Sequence, residues 1–91
     1  MGIAMQGRRL PNIELEDWYG SETEETFKPG DYARFRNLLV FRTPNGILGT
    51  CSTKIHAVTD EQDGSITVSP SILILPNEWH GYLDHGVWRS C

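Results

Sequence analysis

The sequence is poor in the features that usually announce a function. Its 91 residues hold two cysteines, Cys51 and Cys91, and three histidines, His56, His80 and His85. The paired short cysteine spacings of familiar zinc modules are absent, which argues against a structural zinc site. Apolar runs such as Ile72–Leu75 are far too brief to span a bilayer, so no membrane association is expected. The N-terminal "MGIAMQGRRLP" lacks the apolar centre of a secretory signal, and Gln6 stands where N-myristoylation needs Ser or Thr. These absences lead to an expected cytoplasmic location with both cysteines as free thiols; in an oxidising compartment they could pair.

Positive charge is scarce as well. Eight Lys and Arg face twelve Asp and Glu, for a net charge of −4. General nucleic-acid binding needs a basic footprint and is therefore not expected. No Gly-rich phosphate loop and no G-x-S-x-G elbow is present, and no cofactor is expected. Cys51 or Cys91 with His56 or His80 comes nearest to a nucleophile and base, with Asp63, Glu78 and Asp84 as orienting acids. No recognised order fixes these residues, so a small Cys/His hydrolase stands only as an alternative reading. A chain of this length buries roughly 60–65 % of its unfolded surface, enough for one modest core and little enclosed machinery.

What the sequence does contain is turns between short β-favouring runs. No window carries a 3.6-residue apolar period. "KPGDYARFR" opens on a Pro29-Gly30 turn, and Tyr32, Arg34 and Arg36 then alternate with Ala33, Phe35 and Asn37. "LLVFRT" extends that run. "TPNGI" predicts a hairpin, because Pro44 suits the first central turn position and Asn45-Gly46 tolerates positive φ. Its return strand is "ILGTCS", running into "KIHAVT". Asp63-Gly64 marks a second hairpin, followed by "SITVS" with Ile66 and Val68 on one face. Pro70 interrupts that ladder and belongs at an edge, a bulge or a strand change. The pattern predicts an all-β fold, a small antiparallel sandwich or barrel with a C-terminal hairpin. Residues 1–12 read as a loose arm and residues 13–91 as a single small β domain with an acidic segment at 14–31.

The closing "WHGYLDHGVWRSC" is the densest part of the chain. If His85-Gly86 form the centre of a type I′ turn, Leu83 faces Trp88, Tyr82 faces Arg89 and His80 faces Cys91. A three-residue loop would set His80 opposite Ser90 instead. In either register His80 lies in a strand and His85 at the tip, so the two do not share a metal. The remaining metal reading is a set of Cys51, His56, His80 and Cys91.

Two charged features could serve recognition. Arg34, Arg36 and Arg42, with Tyr32, could line one strand face and hold an anion, but solvated edge charges are the preferred reading of them. Residues 14–31 contain seven of the twelve acids: Glu14, Glu16, Asp17, Glu22, Glu24, Glu25 and Asp31. Clustered charge speeds encounter with a basic partner, and a desolvated aromatic supplies affinity. Trp18 and Tyr19 lie inside this run and are the first anchor candidates, beside Glu22, Glu24 and Glu25. The hairpin residues His80, Tyr82 and Arg89 form the second candidate surface.

"DGSITVSPSIL" (63–73) followed by "WHGYLDHGVW" (79–88) resembles the C-terminal half of a family of small uncharacterised bacterial and bacteriophage proteins, some of them mislabelled ammonia monooxygenase. The shared pattern is an Asp-Gly turn, an alternating strand ending in Ser-Pro-Ser, and a His-containing strand turning at Gly into a final strand. Some relatives have a cysteine-rich turn suggestive of zinc. In the corresponding "FRTPNGILGTC", Thr43 and Asn45 replace thiolates and only Cys51 remains. The resemblance implies a non-enzymatic, phage-type accessory protein that binds and modulates a host or defence protein in the host cytoplasm. A structural zinc-binding module or a small virion component would also be compatible with it.

Overall fold

A computed structural model describes residues 4–13, 27–74 and 79–90. It has the expected all-β class. Among the described residues nine strands form: β1 (Ala4–Gln6), β2 (Arg8–Arg9), β3 (Asp31–Phe35), β4 (Leu38–Arg42), β5 (Leu48–Ser52), β6 (Ala57–Asp60), β7 (Ile66–Ile74), β8 (Trp79–Asp84) and β9 (Val87–Ser90). They make a five-stranded sheet in the order β1-β9-β8-β7-β6 and a four-stranded sheet in the order β2-β3-β4-β5. Every pairing is antiparallel except β2 with β3.

The two sheets face each other across one core. The four-stranded sheet supplies Tyr32, Leu39, Phe41 and Cys51; the five-stranded sheet supplies Ile66, Val68, Ile72, Trp79, Leu83 and Trp88. Trp88 is fully buried at the centre, with ring centroids 5.5 Å from both Phe41 and Trp79. These are tilted and edge-on geometries that aromatic quadrupoles favour. Its indole N–H donates to the Gly30 carbonyl at 2.8 Å, so the buried polar end is satisfied.

A second apolar cluster lies on the far side of the four-stranded sheet. Side chains alternate along a strand, so Ala33, Phe35 and Val40 point away from the main core. Phe27 packs on them, joined by the half-buried Leu10, Ile13, Leu38 and Leu48.

Turn chemistry fixes the hairpins. His85 (φ 49°) and Gly86 (φ 77°) form the two-residue turn between β8 and β9. Tyr82 therefore faces Arg89 and Leu83 faces Trp88, the register expected of a type I′ turn. The loops at Pro44–Gly46 and Gln62–Gly64 each end in a positive-φ glycine and are closed by turn hydrogen bonds from Gly46 to Thr43 and from Gly64 to Glu61. Of the three placements open to Pro70, the structure has the bulge: the β7–β8 register shifts between Val68 and Ile72. Three β7 residues there oppose Tyr82 alone, so an even number is added and Val68 and Ile72 both stay on the core side.

Four readings of the sequence are corrected. The arm is not loose over its described part: β1 pairs with β9, the chain changes sheets at Gly7, and β2 joins the edge of β3. A side chain at Gly7 would lie 2.8 Å from the Gly86 carbonyl oxygen and 2.9 Å from that of Gly30, so only glycine lets the strand cross there. "LLVFRT" does not continue β3, because the chain reverses at Arg36-Asn37 with Arg36 at φ 54°. "KIHAVT" does not continue β5 either. A turn at Thr53–His56 carries the chain to the other sheet, with the His56 amide bonded to the Ser52 carbonyl at 2.9 Å. Finally, the three arginines do not share a face. Arg34 reaches across to Asp60, Arg36 lies over Phe35 in the turn, and Arg42 bonds the Gly46 carbonyl at 2.7 Å.

Candidate functional site

The outer face of the five-stranded sheet gathers the exposed chemistry. Along β8, Trp79, Gly81 and Leu83 point inward and His80, Tyr82 and Asp84 point outward. The pairing Ala4–Arg89–Tyr82 sets these residues in one row across three strands. Leu73 stands directly opposite His80 in the next row. Tyr82 is 47 % and Leu73 48 % exposed; with Ile55, in the turn after β5, they are the large apolar side chains left exposed among the described residues. Among the described residues, neither Tyr82 nor Arg89 makes a side-chain hydrogen bond or ion pair.

The bulge in β7 adds Ser71 to this face. Its hydroxyl lies 2.9 Å from His80 Nε2, and its carbonyl accepts from His56 Nε2–H at 3.3 Å. The Ser71–His80 contact has the reach of a nucleophile–base pair. It lies on an open sheet face, and no carboxylate among the described residues bonds the far nitrogen of His80, so it lacks the orienting acid of a catalytic triad.

The four-residue metal set loses its geometry. Cys51 points into the main core from β5, whereas His80 points outward from β8 on the opposite sheet. Burial pushes the Cys51 thiol up to about 11, which keeps it protonated and a poor ligand or nucleophile at neutral pH. His56 is turned to the Ser71 carbonyl, and Cys91 lies outside the described residues. Among the described residues no group of three or more His, Cys, Asp or Glu is placed to hold a metal ion.

Of the partner-binding candidates, His80, Tyr82 and Arg89 come together on one face. Trp18, Tyr19, Glu22, Glu24 and Glu25 lie outside the described residues. Asp31, the last acid of that segment, is no recognition group. It is buried and accepts from Arg8 Nη2 at 2.7 Å and from the Lys28 amide at 2.9 Å. Leu73 and Ser71 join the face without a signal of their own in the sequence. The period-2 alternation in "SILIL" places Leu73 outside only once the parity of the bulge at Pro70 is known.

Two hollows are formed by described residues elsewhere on the surface. One, of about 410 Å³, is lined by Ala4, Met5, Pro44, Asn45, Trp79 and Ser90. The other, of about 440 Å³, is lined by Glu61, Gln62, Asp63 and His85. No protein-family model matches the chain, and no curated protein or solved structure matches it. Among the described residues no helix is long and apolar enough to cross a membrane.

Proposed function

We propose that this chain is a non-enzymatic, phage-type accessory protein that binds and modulates a host or defence protein, acting in the host cytoplasm. The observation that carries the binding role is the bare outer face of the five-stranded sheet. It presents the cross-strand pair Tyr82 and Arg89, both exposed, with Leu73 and His80 in the adjoining row. Tyr and Arg are the residue types that most often anchor interfaces. The phage and host-defence parts of the reading rest on the resemblance of "DGSITVSPSIL" and "WHGYLDHGVW" alone. The acidic segment, with Trp18, Tyr19, Glu22, Glu24 and Glu25, is the second contributor. Its charge accelerates encounter, and the sheet face holds the complex.

The test begins with capture of a partner from bacterial lysate and identification by mass spectrometry. Binding is then measured with the purified partner. Tyr82→Ala and Arg89→Ala each weaken it by about 1–3 kcal/mol, chiefly through faster dissociation. Joint replacement of Glu22, Glu24 and Glu25 by Gln slows association and flattens its salt dependence. Unchanged binding in all of these variants would refute the assignment of both surfaces.

A further inference from the structure

We propose that His85 is a pH-dependent latch that draws Glu61 of the β6–β7 loop to the β8–β9 turn while its ring is protonated and lets that side chain go when the proton leaves. The backbone holds this residue firmly. Its amide donates to Thr67 Oγ1 at 2.9 Å, and the next amide, of Gly86, donates to the Ile66 carbonyl at 3.0 Å. The ring is 64 % exposed and lies between two loops, at the mouth of the 440 Å³ hollow. Nδ1 is 2.6 Å from Asp84 Oδ1 on its own hairpin, and Nε2 is 3.6 Å from Glu61 Oε1 on the other.

The two contacts respond differently to deprotonation. A protonated ring donates from Nδ1 to Asp84 and turns a positive charge toward Glu61, whose oxygen at 3.6 Å is within ion-pair reach, whereas a neutral ring keeps one N–H and loses that charge. The shorter contact, to Asp84, retains that proton. Nε2 then presents a lone pair to the Glu61 carboxylate, and that side chain is let go. The charged groups facing the ring are Asp84 from β8 and Glu61 and Asp63 from the loop, and they hold its titration above the ordinary histidine range. Arg9 stands behind the same loop, bonded to Asp60 and to the Gly64 carbonyl. Asp63 is turned to Ser65, whose amide it accepts at 3.0 Å. Glu61 is therefore the group that the latch engages across the gap.

The experiment is an NMR titration of the full chain from acid to alkaline pH, following the His85 ring and the amides of Gln62, Asp63 and Gly64. The His85 midpoint lies above about 6.5, the ordinary value, and the three loop amides titrate with it. In Glu61→Gln that midpoint moves down and the loop amides cease to follow the ring. In His85→Gln they show no transition through the neutral range. Both residues are at the surface, and unchanged amide shifts in β3, β4 and β7 establish that the variants are folded. A His85 midpoint at or below the ordinary value, or loop amides that titrate identically in either variant, would overturn the proposal.

Discussion

The two sheets share one core but differ in what lies outside them. The four-stranded sheet hides its outer residues Ala33, Phe35 and Val40 beneath Phe27, with Leu10 and Ile13 beside it. The five-stranded sheet leaves His80, Tyr82 and Arg89 in water with Leu73. Both sheets obey the same alternation, so the difference lies in the letters at outward positions. Phe35 and Val40 leave apolar area to be covered. On β8 the outward residues are His, Tyr and Asp, whose polar ends remain hydrated. A covered face contributes to stability, whereas a bare one is free to recognise.

The largest effect that separates the faces is expected at Phe27. It is almost fully buried against the outer face of the four-stranded sheet. Phe27→Ala removes a ring and leaves a cavity, at a cost of about 3–5 kcal/mol. Urea unfolding would show a lower midpoint with little change in slope. A loss below about 1 kcal/mol would mean that the cover matters no more than a surface residue.

Next in size is the turn that closes β8 onto β9. Gly86→Val is expected to cost about 1–3 kcal/mol, from positive φ at a β-branched residue. The new Cβ would also sit 2.9 Å from Ser65 Cβ and 3.0 Å from the Tyr32 hydroxyl, so these neighbours would have to shift. Gly64→Val shares the positive φ but opens into free space, so it should cost less. Thermal unfolding of the pair separates backbone strain from crowding.

A smaller effect concerns the clasp between the sheets. Asp60 on β6 accepts from Arg34 Nη2 at 2.8 Å and from Arg9 Nη1 at 2.8 Å, both on the four-stranded sheet. The hydrogen bond from Arg34, aided by Arg9, holds its carboxyl below the usual aspartate range. A carboxylate depressed in the folded state stabilises above its unfolded value, near 3.9, and that contribution disappears as pH falls through the folded value. Asp60→Asn should lower the neutral plateau of a stability–pH profile and flatten its acid limb, so that the two profiles converge at low pH. The clasp is largely exposed, so the effect is modest.

The strands and most turns are legible in the sequence because each has a local cause. Asn45-Gly46, Asp63-Gly64 and His85-Gly86 carry residues suited to positive φ; the last of them leaves two registers for β8–β9, and the structure has that of the two-residue turn. The Arg36-Asn37 reversal is hidden because an arginine occupies the positive-φ position and no glycine marks it. The order of the arm is hidden because it is nonlocal: Gly7, Arg8 and Leu10 donate to carbonyls of Gly86, Gly30 and Tyr32. For the candidate site, alternation points to His80, Tyr82 and Arg89. Leu73 depends on a bulge whose size no local pattern specifies.

The smallest expected change is the one that sharpens the comparison most. Tyr82 and Arg89 form a cross-strand pair on the bare face, and a pair of this kind contributes roughly 0.2–1 kcal/mol. Tyr82→Ala and Arg89→Ala should each shift stability by no more than about 1 kcal/mol, well below the loss at Phe27. Urea midpoints for the two single variants and the double variant measure both the cost and the coupling. A loss approaching that of Phe27→Ala would mean that Tyr82 is a structural member of the sheet, and its effect on binding could then be a loss of fold. A near-neutral result leaves the side chain with no folding role to explain its exposed ring. Any weakening of partner binding in the same variants then belongs to the interface itself.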